Sequence, residues 1–142
     1  MKGKCLCGEV KFLIEGTLPN LYQCHCSLCR KATGTSSNTA TFVIKNNFKW
    51  LSGEKNITKY SHSSGFRSNF CSVCGSPVPN IINDTEIYCV PAGLFDAHSN
   101  SKIAAHLYTG SKANWDTICS EGEKYDERPD IEVLNKSLQS DP

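Results

Sequence analysis

Three cysteines lie close together near residue 25 of the chain. Cys24, Cys26 and Cys29 follow the spacing C-x-C-x-x-C, and three thiolates this close in sequence can converge on one metal ion. Zinc with three protein ligands and an open fourth position is typical of a catalytic site, whereas zinc with four protein ligands is typical of a structural one. We therefore predict a catalytic zinc site on these three cysteines, called the open set below.

Four more cysteines form two close pairs. Cys5 and Cys7 make a C-x-C pair near the start of the chain, and Cys71 and Cys74 make a C-x-x-C pair near its middle. Distant pairs that each have ligand spacing are a common way for zinc to tie a fold together. We predict a structural zinc on these four cysteines, called the closed set below. The expected cofactor content is therefore two Zn²⁺ per chain, one structural and one catalytic.

The fourth position of the open set has several candidate ligands in the sequence. His25 is the middle residue of an extended C-x-C segment, so its side chain should point away from its two neighbours and bind a different group. A fourth protein ligand would therefore come from elsewhere in the chain. The candidates are His62, His98, His106, Cys89 and Cys119. The two cysteines among them have no neighbouring cysteine and are interpreted as core thiols.

Two alternatives to a catalytic metal remain for the open set. It could be a structural site with three cysteines and one histidine, or Cys26 and Cys29 could carry out reversible thiol redox chemistry. Disulfides are a weaker interpretation, because the count of nine cysteines is odd and the N-terminal segment lacks the apolar core of a signal peptide. No segment is apolar enough to span a membrane, so we expect a cytoplasmic protein without a membrane partner.

Two basic residues follow the open set directly. Arg30 and Lys31 could offset the negative charge of three thiolates and receive the carboxylates of an anionic substrate, or they could form a solvated surface. The net charge of the whole chain is +1, and no dense basic patch is present. Because nucleic-acid binding usually requires such a patch, no nucleic-acid partner is expected.

The elements that would position these cysteines are mostly strands. Val10, Phe12 and Ile14 alternate with polar residues, which predicts a half-buried strand just after the first cysteine pair. Further strand patterns cover residues 39–44, 48–51, 57–60, 66–70, 86–90 and 103–108. Helices should be few and short, with one helical turn after Cys29. We predict one mainly-β domain over residues 1–142, of which 130–142 form a C-terminal tail.

Three segments of the chain resemble a known protein family. Residues 3–12 (GKCLCGEVKF), 24–34 (CHCSLCRKATG) and 70–75 (FCSVCG) are similar to the motifs of the glutathione-dependent formaldehyde-activating enzyme (Gfa) and centromere protein V family. The order and spacing of the three motifs also fit, and the resemblance covers about residues 3–129. It implies a β-tent fold of stacked antiparallel sheets, with structural zinc on the closed set and a second zinc on the open set.

The resemblance also implies an activity. The family's named reaction joins formaldehyde and glutathione into S-hydroxymethylglutathione, or cleaves the same bond as a carbon–sulfur lyase. The expected partners are thus a small glutathione-like thiol and an aldehyde. Two other functions remain open, a non-catalytic zinc-binding interaction module and a thiol redox protein. The shared motifs are metal ligands, so they specify the metal better than they specify the substrate.

The predicted metal suggests how such a reaction would proceed. A substrate thiol at the open position would lose its proton to the solvent or a base, because metal coordination deprotonates thiols. The sulfur would then attack a nearby carbonyl carbon, and most of the rate gain would come from proximity. The candidate general acids are His25, His62 and Arg67.

Overall fold

The computed structural model describes residues 1–97 and 99–139. Within these ranges the chain has eleven β-strands and two α-helices, which confirms the mainly-β prediction. No helix in the described residues has the length and apolar character needed to span a membrane. The elements are β1 (Lys2–Lys4), β2 (Lys11–Ile14), β3 (Leu21–Cys24), α1 (Ser27–Thr33), β4 (Asn38–Ile44), β5 (Phe48–Ser52), β6 (Ile57–Ser61), β7 (Arg67–Cys71), β8 (Asn80–Ile81), β9 (Ile87–Pro91), β10 (Ile103–Leu107), β11 (Glu123–Lys124) and α2 (Ile131–Gln139).

The chain forms two compact units, each built from two segments. The first unit contains Met1–Leu18 and Phe42–Ser99, and the second contains Pro19–Thr41 and the residues from Asn100 onward. Every strand that the sequence pattern predicted overlaps a strand in the structure. The single-domain organisation stays a prediction.

The first unit is built around the strand that alternation predicted. β2 pairs antiparallel with both β1 and β5. Val10, Phe12 and Ile14 are all buried, so this alternation does mark the core face. The ring of Phe12 lies 5.5 Å from the ring of Phe48, and both belong to a core cluster that also contains Val90. This cluster holds β2 in place just after the first cysteine pair.

A hairpin in the first unit presents the second cysteine pair. β6 and β7 pair antiparallel along their length, and Ile57 lies opposite Cys71 at the end of β7. Cys71 is buried in a second core cluster together with Cys5, Val10 and Val78. The apolar cluster therefore brings one cysteine of each pair to the same place.

The second unit contains a four-strand arrangement in the order β11-β10-β3-β4. β3 and β4 are antiparallel, whereas β10 runs parallel to both β3 and β11. Leu107 of β10 lies beside Cys24, the last residue of β3. The open set therefore begins where β3 leaves the sheet.

Helix α2 occupies most of the segment that the sequence suggested was a tail. Within the described part of that segment, Ile131–Gln139 is helical, and Leu134 and Leu138 are completely buried. Leucines four residues apart lie on one face of a helix, so both can pack into the second unit. The backbone N–H of Asn20 also donates to the carbonyl of Leu138 at 2.9 Å. Residues 131–139 are thus part of the fold.

Candidate metal centres

The four cysteines of the closed set converge in the first unit. Their sulfur atoms all lie within 4.8 Å of one another, a spacing that could hold one metal ion. The Sγ of Cys7 lies 3.5 Å from that of Cys5 and 3.8 Å from that of Cys71. Four cysteine thiolates are a donor set that suits Zn²⁺, whereas Mg²⁺ and Ca²⁺ take oxygen ligands. The residues present therefore fit a structural zinc.

Tight turns position the cysteines of the closed set. The N–H of Gly8 donates to the carbonyl of Cys5 at 3.0 Å, and the N–H of Gly75 donates to the carbonyl of Cys71 at 2.8 Å. Both glycines have left-handed φ angles, 80° and 75°, which only glycine adopts at low cost. Cys5 and Cys7 do not lie on a strand, because β1 ends at Lys4 and a turn covers Leu6 and Cys7.

Hydrogen bonds favour the thiolate at two cysteines of the closed set, Cys5 and Cys74. The pKa of Cys7 is instead raised to about 12, because the lowering effect of the Glu9 backbone is outweighed by burial and by hydrogen bonds with the thiols of Cys5, Cys74 and Cys71. The N–H of Val10 donates to the Sγ of Cys5 at 3.3 Å, and the Sγ of Cys74 lies 3.3 Å from the Oγ of Ser76. Interaction with the Ser76 side chain, followed by its backbone N–H, lowers the pKa of Cys74 to about 5. A thiol with this pKa is already ionised at neutral pH. Cys74 is therefore ready to bind a metal.

The three cysteines of the open set converge in the second unit. Their sulfur atoms also lie within 4.8 Å of one another. Cys24 ends β3, Cys26 is the N-cap of α1, and Cys29 lies in the first turn of that helix. The Sγ of Cys26 accepts a hydrogen bond from the N–H of Cys29 at 3.3 Å, as a capping side chain does. The strand end and the helix start thus place three thiols around one point, and the helical turn predicted after Cys29 is part of α1.

The three thiols of the open set are linked to one another by hydrogen bonds. Hydrogen bonds from the thiols of Cys24 and Cys29 lower the pKa of Cys26 to about 2. The hydrogen bond to Cys26 raises the pKa of Cys24 to about 12, and bonding with Cys24 likewise raises the pKa of Cys29. Cys26 is therefore the member of this group whose thiolate is favoured most. Metal binding to cysteine ligands releases protons, because the ligand is the thiolate.

The open set, as a group that could hold a metal ion, has three members among the described residues. None of His62, His106, Cys89 and Cys119 joins it, and His98 lies outside the described residues. Both ring nitrogens of His106 bind other groups, one the His25 ring and the other the carbonyl of Glu121. Cys119 is exposed, so its interpretation as a core thiol is wrong. In the part of the chain that the structure describes, the set therefore consists of three candidate ligands.

A pair of buried histidines lies beside the open set, and sequence reasoning missed it. The Nε2 of His25 lies 3.1 Å from the Nδ1 of His106, and the two rings stack at 5.4 Å. Burial, and for His25 also the nearby His106, lowers the pKa of both rings. The Nδ1 of His25 lies 3.6 Å from the Oδ2 of Asp116 and has no hydrogen-bond partner among the described residues. His25 thus contacts a group other than the metal set.

The two basic residues after the open set have different surroundings. Arg30 is partly buried, and its guanidinium donates to the carbonyls of His25 and Ser111, both at 3.3 Å. Lys31 is exposed. Arg30 therefore links the backbone at His25 to the backbone at Ser111. The ammonium of Lys31 faces solvent.

Two comparisons relate the chain to other proteins, and a third finds no match. A family model described as glutathione-dependent formaldehyde-activating enzyme matches residues 1–111. A crystal structure of a Rhodobacter sphaeroides protein has a similar fold, with a TM-score of 0.59 and 23% sequence identity over 73% of this chain and 100% of the other. No curated protein has significant sequence similarity to the chain.

Proposed function

The chain belongs to the glutathione-dependent formaldehyde-activating enzyme family, and we propose that it is a zinc-dependent carbon–sulfur lyase. It would form or cleave a thiol–aldehyde adduct such as S-hydroxymethylglutathione. One observation carries this proposal beyond family membership. Three sulfur atoms converge within 4.8 Å, and the group has no fourth member among the described residues. Such a set suits an enzyme better than a purely structural site.

The proposed reaction is an addition to a carbonyl group. A bond forms between the thiol sulfur and the carbon of formaldehyde, while the thiol proton passes to the carbonyl oxygen. The reverse reaction breaks the carbon–sulfur bond and returns the proton to sulfur. No electrons are gained or lost overall, so the reaction needs no redox partner. Zinc, when bound, supplies the fourth coordination position at which the substrate thiol gives up its proton.

The cysteines of the open set determine which chemistry is favoured. Three thiolates carry three negative charges, which exceeds the charge of one Zn²⁺ and makes the site a weak Lewis acid. Such a site is better suited to holding a thiolate than to activating water. Cys24, Cys26 and Cys29 would therefore hold the reacting sulfur and fix its position beside the aldehyde, where proximity supplies much of the rate gain.

Lys31 is the residue that we assign to the charged end of the substrate. Its side chain is exposed next to Arg30 and begins two residues after Cys29. A glutathione-like thiol carries carboxylates that a lysine ammonium can attract. Arg30 already donates to two carbonyls, so we assign it to holding the loop.

The proposed activity can be measured by NMR exchange spectroscopy. Glutathione and formaldehyde combine without an enzyme, so the measured quantity is the exchange rate between free glutathione and its adduct with and without the zinc-loaded protein. We expect acceleration by the wild type and by Cys119→Ser, which changes an exposed thiol outside the open set. Cys29→Ser should show only the rate of buffer. A panel of thiols and aldehydes would then identify the preferred pair. Equal rates for wild type and Cys29→Ser across that panel would disprove the lyase proposal.

Metal analysis separates this proposal from a thiol redox function. Protein purified without added zinc or reducing agent should contain two zinc ions per chain. A redox protein would instead contain one zinc and a disulfide between Cys26 and Cys29, which alkylation followed by mass spectrometry detects. That result would replace the lyase proposal by the redox one.

A further inference from the structure

His25 is held at three points although it is not a member of the open set. Its backbone N–H donates to the carbonyl of Leu107 at 2.9 Å, and its own carbonyl accepts from the Nε of Arg30 at 3.3 Å. Its ring meets the ring of His106, with 3.1 Å between Nε2 of the first and Nδ1 of the second. The side chains are 2% and 0% exposed, respectively. A residue between two metal ligands is thus fixed by its backbone and by its side chain.

The direction of the hydrogen bond between the two histidines follows from the partner of the other ring nitrogen of His106. The Nε2 of His106 lies 3.0 Å from the carbonyl oxygen of Glu121. A carbonyl can only accept, so this nitrogen carries the proton. In the neutral ring, Nδ1 is then an acceptor, and the Nε2–H of His25 donates to it. The other ring nitrogen of His25, Nδ1, has no hydrogen-bond partner among the described residues, and the Oδ2 of Asp116 lies 3.6 Å from it.

We propose that His106 is a positioning residue for the open set: it fixes the ring of His25 and thereby the backbone that carries Cys24 and Cys26. The backbone of His25 joins the two cysteines directly, so a change in its orientation moves both sulfur atoms. A buried Nε2–H without an acceptor is costly, and the chain would shift to satisfy it. Residues that orient metal-binding groups from behind typically change metal affinity 10–100-fold when they are replaced.

This inference rests on the proposed zinc site but not on the lyase reaction. Its test therefore measures metal binding by wild type and variants. Zinc affinity at the two sites is obtained by competition with a chromophoric chelator, and the geometry of the open set is read from the absorption spectrum of the cobalt-substituted protein. His106→Leu removes the acceptor, while His106→Asn keeps an acceptor oxygen near the position of Nδ1.

Two control variants separate positioning from general stability. Cys119→Ser changes the sulfur 3.5 Å from the Nε2 of His106 and leaves the ring pair intact. Leu134→Ala weakens the second unit at a buried helix residue that is not part of the hydrogen-bond chain. Both should bind two zinc ions with wild-type affinity and give the wild-type cobalt spectrum at a temperature where they are folded.

The expected result is specific to one site. In His106→Leu, the affinity of the open set for zinc should fall about 10–100-fold and the cobalt absorption bands of that site should change. The affinity of the closed set for zinc should stay the same. His106→Asn should recover most of the lost affinity. Wild-type affinity and spectrum in His106→Leu would overturn the inference, as would an equal loss in Leu134→Ala. If wild type binds two zinc ions but does not accelerate adduct exchange, the lyase proposal fails and the positioning role stands.

Discussion

The two cysteine sets differ in how far apart their members lie in sequence. Cys7 and Cys71 of the closed set are 64 residues apart, whereas the open set lies within six residues. A cross-link between distant residues removes much more freedom from the unfolded chain than a local one does. A metal in the closed set would therefore mainly stabilise the fold. A metal in the open set would stabilise little beyond the start of α1, which leaves it available for chemistry.

The two sets also differ in what supports them. Two cysteines of the closed set are buried in a cluster with Val10 and Val78, so apolar packing brings its halves together. The open set instead adjoins the ring of His25, which is held by a hydrogen bond to His106. The hydrophobic effect has no preferred direction, whereas a hydrogen bond does. This difference indicates that the closed set mainly stabilises the fold, whereas the surroundings of the open set mainly fix the positions of its sulfur atoms.

The largest effect is expected from Cys74→Ser. Cys74 is only partly buried, so its replacement removes a ligand with little loss of packing. Structural zinc contributes roughly 10–16 kcal/mol in small zinc domains, which is as large as the stability of a typical domain. Thermal unfolding followed by circular dichroism should show a large drop in Tm or no folded protein, while Cys119→Ser should match wild type. A wild-type Tm for Cys74→Ser would contradict the structural role of the closed set.

Cys29→Ser should have a large effect on activity and a small one on stability. Loss of one of three ligands should release the zinc of the open set and lower the enzyme-catalysed part of the exchange rate by about 10³-fold, equivalent to about 4 kcal/mol in the activation barrier, so that only the rate of buffer is measured. The Tm should stay within a few degrees of wild type, because the open set links only neighbouring residues. Metal analysis should find one zinc. If Cys29→Ser and Cys74→Ser unfold to the same extent, the division into two roles is wrong.

Leu134→Ala tests whether the second unit can lose stability without losing its metal. Truncation of a fully buried leucine typically costs 2–5 kcal/mol. Denaturant unfolding should show this loss, while metal analysis finds two zinc ions and adduct exchange below the transition stays at the wild-type rate. A matched truncation at exposed Val133 should cost less than about 0.5 kcal/mol. Loss of zinc from the folded Leu134→Ala protein would show that ligand geometry depends on helix packing.

Sequence reasoning predicted the features that short segments specify. The alternation of Val10, Phe12 and Ile14 identified a core strand, and residue spacing identified both groups of converging thiols. Gly75 has a φ of 75°, a conformation that glycine adopts at low cost and that allows a tight turn directly after the C-x-x-C pair. Each of these features depends on residues a few positions apart, where periodicity and backbone sterics act directly.

Features that depend on strand order could not be predicted in this way. His25 and His106 meet because β10 runs parallel to β3, and nothing in either segment specifies that pairing. The exposure of Cys119 likewise depends on the path of the chain after β10. Helix α2 was different, because Leu134 and Leu138 are four residues apart and gave a helical signal within a polar segment. The sequence therefore contains a local signal for this helix.

The smallest effects are expected from the two basic residues after the open set, and they should differ in kind. Lys31→Gln removes an exposed charge, so it should raise the KM for glutathione about threefold to fivefold, corresponding to about 1 kcal/mol, without changing Tm or zinc content. Arg30→Gln removes donors to the carbonyls of His25 and Ser111, so it should lower the free energy of unfolding by about 1–2 kcal/mol. The KM for an uncharged thiol such as 2-mercaptoethanol provides the control, because Lys31→Gln should leave it unchanged. If Arg30→Gln raises only the KM for glutathione while Lys31→Gln changes nothing, then Arg30 binds the substrate carboxylate and its carbonyl contacts are secondary.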